Sequence, residues 1–153
     1  MKGKTLIAYF SAEGNTAAVA KIMADAIGAD LFEIKPVTPY SSADLNWMSN
    51  KSRSSLEMAD ETSRPQIAEK TDVLKYDNVL IGFPIWWYVE PRIVDTFIES
   101  YDFSGKTIIP FATSGGSGIE KSVSRMRKLY PDYNIADGKL LHRSNAAAWC
   151  KTL

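Results

Sequence analysis

The stretch Leu6-Ile-Ala-Tyr-Phe-Ser-Ala-Glu-Gly-Asn-Thr-Ala-Ala-Val-Ala20 predicts a buried strand, a short polar loop and the beginning of a helix. Residues 6–10 form an apolar run, which is typical of a central parallel strand covered on both faces. The polar loop 11–16 precedes apolar residues at helical spacing, and its position at a helix N-terminus offers backbone N–H groups to a phosphate. Capping of the helix by Asn15 or Thr16 explains the same residues without a ligand.

The rest of the chain alternates predicted strands and helices. We expect one domain over residues 1–153, with a parallel sheet and helices on both of its faces. The predicted helices cover residues 15–27, part of 42–59, a segment after Pro91, 119–130 and 145–153, and the predicted strands cover 30–35, 78–84, 106–112 and 135–141.

Two of these helices carry more detailed expectations. Within residues 42–59, Ser41 or Ser42 would cap the helix, and its inward positions would be Leu45, Met48 and Leu56. In the helix that begins near residue 119, the polar face holds Lys121, Arg125 and Lys128, which we interpret as a solvated face.

Composition and charge exclude several classes of protein. The 153 residues are 45% hydrophobic and 24% charged, with 18 basic and 18 acidic residues, so nothing favours nucleic acid or a membrane surface as a partner. No apolar run approaches the roughly 20 residues that span a bilayer, and the first residues show no leader pattern, so we expect a cytoplasmic protein. We predict no metal site.

The only cysteine, Cys150, cannot form an internal disulfide, which fits a reducing compartment. A catalytic cysteine needs an activating neighbour such as a histidine. The single histidine, His142, is close in sequence, but we interpret this proximity as incidental and predict no catalytic side chain.

Common nucleotide motifs are absent. Gly3-Lys4-Thr5 and Gly105-Lys106-Thr107 end like a Walker sequence but lack its earlier glycine, and each precedes a strand instead of a helix. The dinucleotide fingerprint Gly-x-Gly-x-x-Gly is missing after Phe10, and the glycine-rich loop 113–118 lacks its spacing.

Three loops with polar or aromatic residues follow predicted strands, at residues 11–16, 84–88 and 113–118. Because the carboxyl ends of parallel strands share one edge of a sheet, we expect these loops to meet there. The pair Trp86-Trp87 indicates a planar ligand stacked on an indole, although packing on the following helix or a dimer contact would also cover it.

The sequence resembles the flavodoxin family, in particular a bacterial flavodoxin-like branch. The resemblance covers nearly the whole chain and lies in Tyr9-Phe-Ser-Ala-Glu-Gly-Asn-Thr16, Arg64-Pro-Gln-Ile67, Gly82-Phe-Pro-Ile-Trp-Trp87, Tyr101-Asp-Phe-Ser-Gly-Lys-Thr107 and Pro110-Phe-Ala-Thr-Ser-Gly-Gly-Ser-Gly118. It implies a flavodoxin-like three-layer α/β sandwich, with a five-stranded parallel sheet in the order 2-1-3-4-5 and one non-covalent FMN.

The resemblance also implies which residues bind FMN. They form a phosphate loop, an aromatic wall along the isoalloxazine ring and a glycine-rich loop at its polar edge. These residues are Ser11, Ala12, Glu13, Gly14, Asn15 and Thr16, then Pro84, Ile85, Trp86 and Trp87, and finally Thr113, Ser114, Gly115, Gly116 and Gly118. We expect the Glu13 side chain to point to solvent, away from the phosphate.

The function implied is electron transfer through the flavin semiquinone or hydroquinone, with redox proteins or a small electron donor or acceptor as partners. Two departures keep an alternative open, an NAD(P)H-dependent FMN or quinone reductase of the same fold. The chain is neutral, whereas electron-shuttling flavodoxins look acidic, and residues 113–118 lack the aromatic cover common in that loop. A flavin-free interaction module that uses the tryptophans as a partner surface is a further alternative.

Overall fold

The computed structural model describes all residues, 1–153. Its helices are α1 (Asn15–Ile27), α2 (Arg53–Ala59), α3 (Arg92–Glu99), α4 (Glu120–Leu129) and α5 (Ala146–Cys150). Its strands are β1 (Thr5–Tyr9), β2 (Asp30–Glu33), β3 (Asn78–Pro84), β4 (Thr107–Thr113), β5 (Asn134–Ile135) and β6 (Lys139–Leu140). All strand pairings are parallel and the order is β2-β1-β3-β4-β5, with β6 also on β4, so the predicted order 2-1-3-4-5 is confirmed.

The central strands are buried on both faces because helices cover each side. Ile7, Leu80 and Phe111 point to the side of α1 and α5. Their neighbours Ala8 and Ile81 point to the opposite side, where α3 and α4 pack. The continuous apolar runs in the sequence follow from this double coverage. None of the helices is both long and apolar enough to cross a membrane.

Helix α1 has the predicted bounds. It ends at Gly28, which adopts a left-handed conformation at φ 67°, as is common directly after a helix. The alternative interpretation, in which Asn15 or Thr16 caps the helix, is wrong, because neither side chain makes a capping hydrogen bond. Ser11 does so instead, since its Oγ accepts hydrogen bonds from the backbone N–H groups of Gly14 and Ala17, each at 3.1 Å.

The predicted helix within residues 42–59 is wrong in its first half. Only residues 53–59 are helical, and the cap is Ser52, whose Oγ accepts from Ser55 N at 3.3 Å. Residues 36–52, which we call the strap, instead run in turns. The prediction places Met48 and Leu56 inside, but both are exposed. The serine and asparagine side chains of the strap bond to nearby backbone and oppose a longer helix, which leaves Met48 in a turn, whereas Leu56 lies within α2 on its exposed face.

The predicted last strand, 135–141, is divided into β5 and β6, and its pairing with β4 shifts by one residue between the two. Pro110 on β4 has no N–H to donate at this point. Gly138 passes over it at φ 69°, so close that a Cβ atom on this glycine would lie 2.1 Å from the Pro110 carbonyl oxygen. The last helix is also shorter than predicted, at residues 146–150.

Candidate functional site

A cleft of about 880 Å³ lies at the carboxyl ends of the strands. The three predicted loops meet there, as expected. The lining residues are Ser11, Ala12, Glu13, Asn15, Thr16 and Val19, then Leu45, Trp47 and Ser54, then Pro84, Ile85, Trp86, Trp87 and Tyr88, then Thr113, Ser114, Gly115 and Ser117, and finally Leu141, His142 and Arg143.

The loop 11–16 presents hydrogen-bond donors at the N-terminus of α1. The backbone N–H groups of Ala12, Glu13, Asn15 and Thr16 have no acceptor within the protein. Ser11 Oγ accepts two N–H groups, so its own hydroxyl proton is free to donate elsewhere. Glu13 is exposed and also lines the cleft. The loop is therefore a set of neutral donors at the positive end of a helix dipole, which suits an anion.

Thr113, at the end of β4, connects the three loops. Its hydroxyl shares a hydrogen bond of 2.8 Å with the hydroxyl of Thr16, and both side chains are buried. Its carbonyl oxygen accepts from Ile85 N at 3.0 Å, in the loop after β3. The floor of the cleft is consequently fixed by direct bonds between neighbouring strand ends.

The aromatic wall is a tight turn, residues 86–89, in which Trp86 and Val89 exchange backbone hydrogen bonds of 2.9 and 3.1 Å. Its two central residues, Trp87 and Tyr88, have φ values of 48° and 73°. Positive φ at both positions is the requirement of a type I′ turn, which normally selects Asn-Gly. Bulky side chains in this conformation store strain, and such strain concentrates at functional sites.

The two tryptophans have different surroundings. Trp86 is partly buried and meets the rings of Phe10 and Tyr40 edge-on, at centroid distances of 5.6 and 5.4 Å. Trp87 remains 44% exposed and Tyr88 59% exposed. Lys121, from α4, lies 4.6 Å from the centroid of the Tyr88 ring. Trp86 therefore anchors the turn to the core, while the tip of the turn is open at the cleft.

Most of the residues expected from sequence line the cleft, but Gly14, Gly116 and Gly118 do not. The N–H groups of Gly14 and Gly116 are already donated, to Ser11 Oγ and to Ser114 Oγ at 3.0 Å. At Gly118 a Cβ atom would meet the Glu120 carboxylate instead of open space. These three glycines shape their loops.

Sequence reasoning missed two sections of the lining. Leu45 and Trp47 come from the strap, and Ser54 comes from α2. They were missed because the sequence predicts a helix within residues 42–59 and not a wall of the cleft. Leu141, His142 and Arg143 follow β6 and bring the positive charge of Arg143 to the cleft. Their signal is their position after the last strand, on the same edge as the other loops. Cys150 is buried in the core elsewhere, and burial raises the pKa of its thiol.

A buried charge cluster lies directly after the aromatic turn. Glu90 and Asp95 are fully buried, and Arg125 Nη1 donates to both carboxylates, at 2.6 and 2.7 Å. Ser122 Oγ also donates to Glu90 at 2.7 Å. Burial and the neighbouring Asp95 raise the pKa of Glu90 to about 8. The interpretation of Arg125 as a solvated residue is thus wrong, because this side chain fastens α4 to the residues behind the turn.

Comparison with known proteins matches this architecture to one family. The family model described as Flavodoxin matches residues 4–153. The chain belongs to the flavodoxin family. A search of curated proteins gave no significant match.

Among solved structures, two similar proteins come from Bacteroides and are described as candidate flavoproteins. The Bacteroides eggerthii protein is 48% identical over 99% of this chain and 98% of its own, with a TM-score of 0.93. The Bacteroides uniformis protein is 49% identical over 99% of each chain, also with a TM-score of 0.93. A Lactobacillus acidophilus flavoprotein in complex with FMN is 24% identical, over 97% and 99% of the chains, with a TM-score of 0.73.

Proposed function

We propose that this protein binds one FMN in the cleft and works as an electron carrier. The observation that carries the proposal is the set of free backbone N–H groups at residues 12, 13, 15 and 16, placed in the same cleft as an aromatic wall. Bound FMN would supply the redox chemistry, because it accepts and releases electrons at its ring. The FMN complex of the Lactobacillus acidophilus flavoprotein, which shares the fold, supports this choice of cofactor.

The residues present fit a flavin monophosphate. Neutral donors and the dipole of α1 would hold the phosphate, with the Ser11 hydroxyl as an additional donor. Trp86 and Trp87, with Pro84 and Ile85, would border the ring on one side. Thr113, Ser114 and Gly115 would lie along its polar edge. No side chain of the cleft is required to act as an acid or base in this function.

A titration of cofactor-free protein with FMN and with riboflavin tests the proposal. We expect FMN to bind more tightly than riboflavin by roughly 10- to 100-fold, because riboflavin lacks the phosphate that the loop would hold. Equal affinity for FMN and riboflavin would show that the loop is not a phosphate site. A protein that takes up no flavin at all would instead favour the interaction module.

The alternative, an NAD(P)H-dependent FMN or quinone reductase, has one observation in its favour. His142 and Arg143 line the cleft, so Arg143 offers a positive charge to an anionic second substrate. The loop 113–118 carries no aromatic residue, which leaves space for that substrate beside the loop. Anaerobic mixing of the flavin-loaded protein with NADPH and with NADH separates the two functions. Rapid bleaching of the flavin would establish the reductase, and slow bleaching would favour the carrier.

A further inference from the structure

The strap is an ordered wall of the cleft. Ser41 and Asp44 bond reciprocally, since Ser41 N donates to Asp44 Oδ2 at 2.9 Å and Asp44 N donates to Ser41 Oγ at 3.1 Å. Asn46 Oδ1 accepts from Met48 N at 3.2 Å, and Asp44 O accepts from Ser54 N at 3.0 Å. These contacts fix the backbone on both sides of residue 47.

The strap is also attached to the aromatic turn. The Arg53 guanidinium lies 3.7 Å from the centroid of the Tyr40 ring and donates to the Thr38 carbonyl oxygen at 2.7 Å. The Tyr40 hydroxyl donates to Glu57, and the ring meets Trp86 edge-on. The strap and the aromatic wall are therefore held together through Tyr40.

Trp47 is presented to the cleft from this ordered segment. Its side chain is 71% exposed, and it lines the cleft. The adjacent Met48 is 77% exposed but does not line the cleft. A tryptophan left open on a fixed backbone has a large apolar surface and little conformational freedom to lose when a planar group stacks on it.

We propose that Trp47 stacks on the outer face of the bound flavin ring and closes that face to hydride donors. The inference rests on the proposed FMN site, in which Trp86 and Trp87 would border the opposite side of the ring. A dihydronicotinamide must lie face-on against the flavin for its hydride to transfer, and an indole on that face excludes it. Single-electron transfer does not require this face-on contact, so the closed face is compatible with the proposed carrier.

Three variants test the stacking: Trp47→Ala, Trp47→Phe and the matched control Met48→Ala. We expect Trp47→Ala to weaken FMN binding by roughly tenfold, because aromatic stacking is lost. Trp47→Phe should retain most of the affinity, and Met48→Ala should change it by less than about twofold. The measurement is the quenching of FMN fluorescence on titration with cofactor-free protein. An unchanged affinity in Trp47→Ala would overturn the proposal.

The closed face is tested with 1-benzyl-1,4-dihydronicotinamide under anaerobic conditions. In this reaction a hydride, which is one hydrogen with two electrons, leaves the probe as it becomes a pyridinium, and the flavin is reduced by two electrons. We expect Trp47→Ala to be reduced about tenfold faster or more than the parent protein, since the donor can then align with the ring. Equal rates of flavin reduction in Trp47→Ala and in the parent protein would show that Trp47 does not close the ring face to hydride donors.

The outcomes also separate the two proposals. If the parent protein binds no FMN, the proposed function fails and this inference fails with it. If FMN binds and Thr16→Ala weakens it while Trp47→Ala does not, only the role of Trp47 is wrong.

Discussion

The loop of residues 11–16 and the aromatic turn of residues 86–89 both contain positive φ values beside the same cleft, but different residue types adopt these values in the two segments. The loop uses glycine, since Gly14 has a φ of 100° and a Cβ atom at this position would meet no other atom within 4 Å. The turn uses Trp87 and Tyr88, for which such angles are unfavourable. The loop is relaxed and offers free backbone N–H groups at the cleft. The turn keeps strain in order to present aromatic side chains.

The largest expected effect concerns the loop. Thr16→Ala should weaken FMN binding by about 1–3 kcal/mol, because a charged phosphate would lose a hydroxyl donor. The Thr16 hydroxyl can accept from Thr113 and still donate to the ligand. Isothermal titration with FMN measures the loss, and Thr16→Ser, which keeps the hydroxyl, should bind nearly as the parent does. Equal affinity in Thr16→Ala would place the phosphate elsewhere.

A second substitution tests the relaxed backbone of the loop. Gly14→Ala should lower the free energy of unfolding by about 1–2 kcal/mol, because an L-residue at this positive φ is strained even though space is available. Urea denaturation measures the change. Gly115→Ala is the control, since Gly115 also has open space around it but no positive φ. Equal stability of the two variants would show that the conformation of Gly14 is not the constraint.

The turn should respond with the opposite sign. The double variant Trp87→Asn with Tyr88→Gly places preferred residues in the type I′ turn and should raise the free energy of unfolding by about 1 kcal/mol. The same variant should bind FMN more weakly, because it loses aromatic surface at the cleft. Urea denaturation and FMN titration measure both effects. A variant that loses stability would show that the side chains of the turn stabilise the fold by packing.

A further expected effect is a pH dependence of stability that arises from Glu90, the residue directly after the turn. Burial and Asp95 raise the pKa of Glu90 from 4.5 to about 8. Between these values the folded state holds more protons than the unfolded state, so the free energy of unfolding should fall as pH rises and level off above about 8. Glu90→Gln should remove this contribution in urea denaturation between about pH 5 and 8.5. An unchanged slope in Glu90→Gln would contradict the assignment.

The loop 11–16 and the aromatic turn also differ in how well their conformations can be predicted from sequence. Strand β1, the loop and α1 are contiguous, so periodicity and helix-end signals locate them, including Gly28. The aromatic turn is recognisable only as a loop with two tryptophans, because no sequence preference predicts positive φ at Trp87 and Tyr88. Local patterns succeed where local preferences and the final structure agree.

Long-range contacts account for the other errors. Arg125 looks solvated on its own helix, and only the approach of Glu90 and Asp95 from another part of the chain makes it a buried ion-pair partner. The spacing of apolar residues predicts a helix around Trp47, whereas the serine-rich strap bonds to its own backbone. The role of Ser11 as the cap of α1 escapes sequence reasoning because this residue lies four positions before the helix begins.

The one-residue shift between β5 and β6 affects whether the sheet edge can pair with another copy of the chain. An uninterrupted edge strand offers a row of unpaired backbone groups on which another sheet can grow. In this sheet the edge strand is interrupted at Gly138. In addition, Arg127 donates two N–H groups to the Ile135 carbonyl oxygen, at 3.0 and 2.7 Å. At the other side of the sheet, Pro36 and Ile67 form an antiparallel bridge just beyond β2. Neither edge of the sheet is therefore a good template for pairing with another copy of the chain. This protection matters because the formal net charge is zero, so charge repulsion between copies does not oppose aggregation.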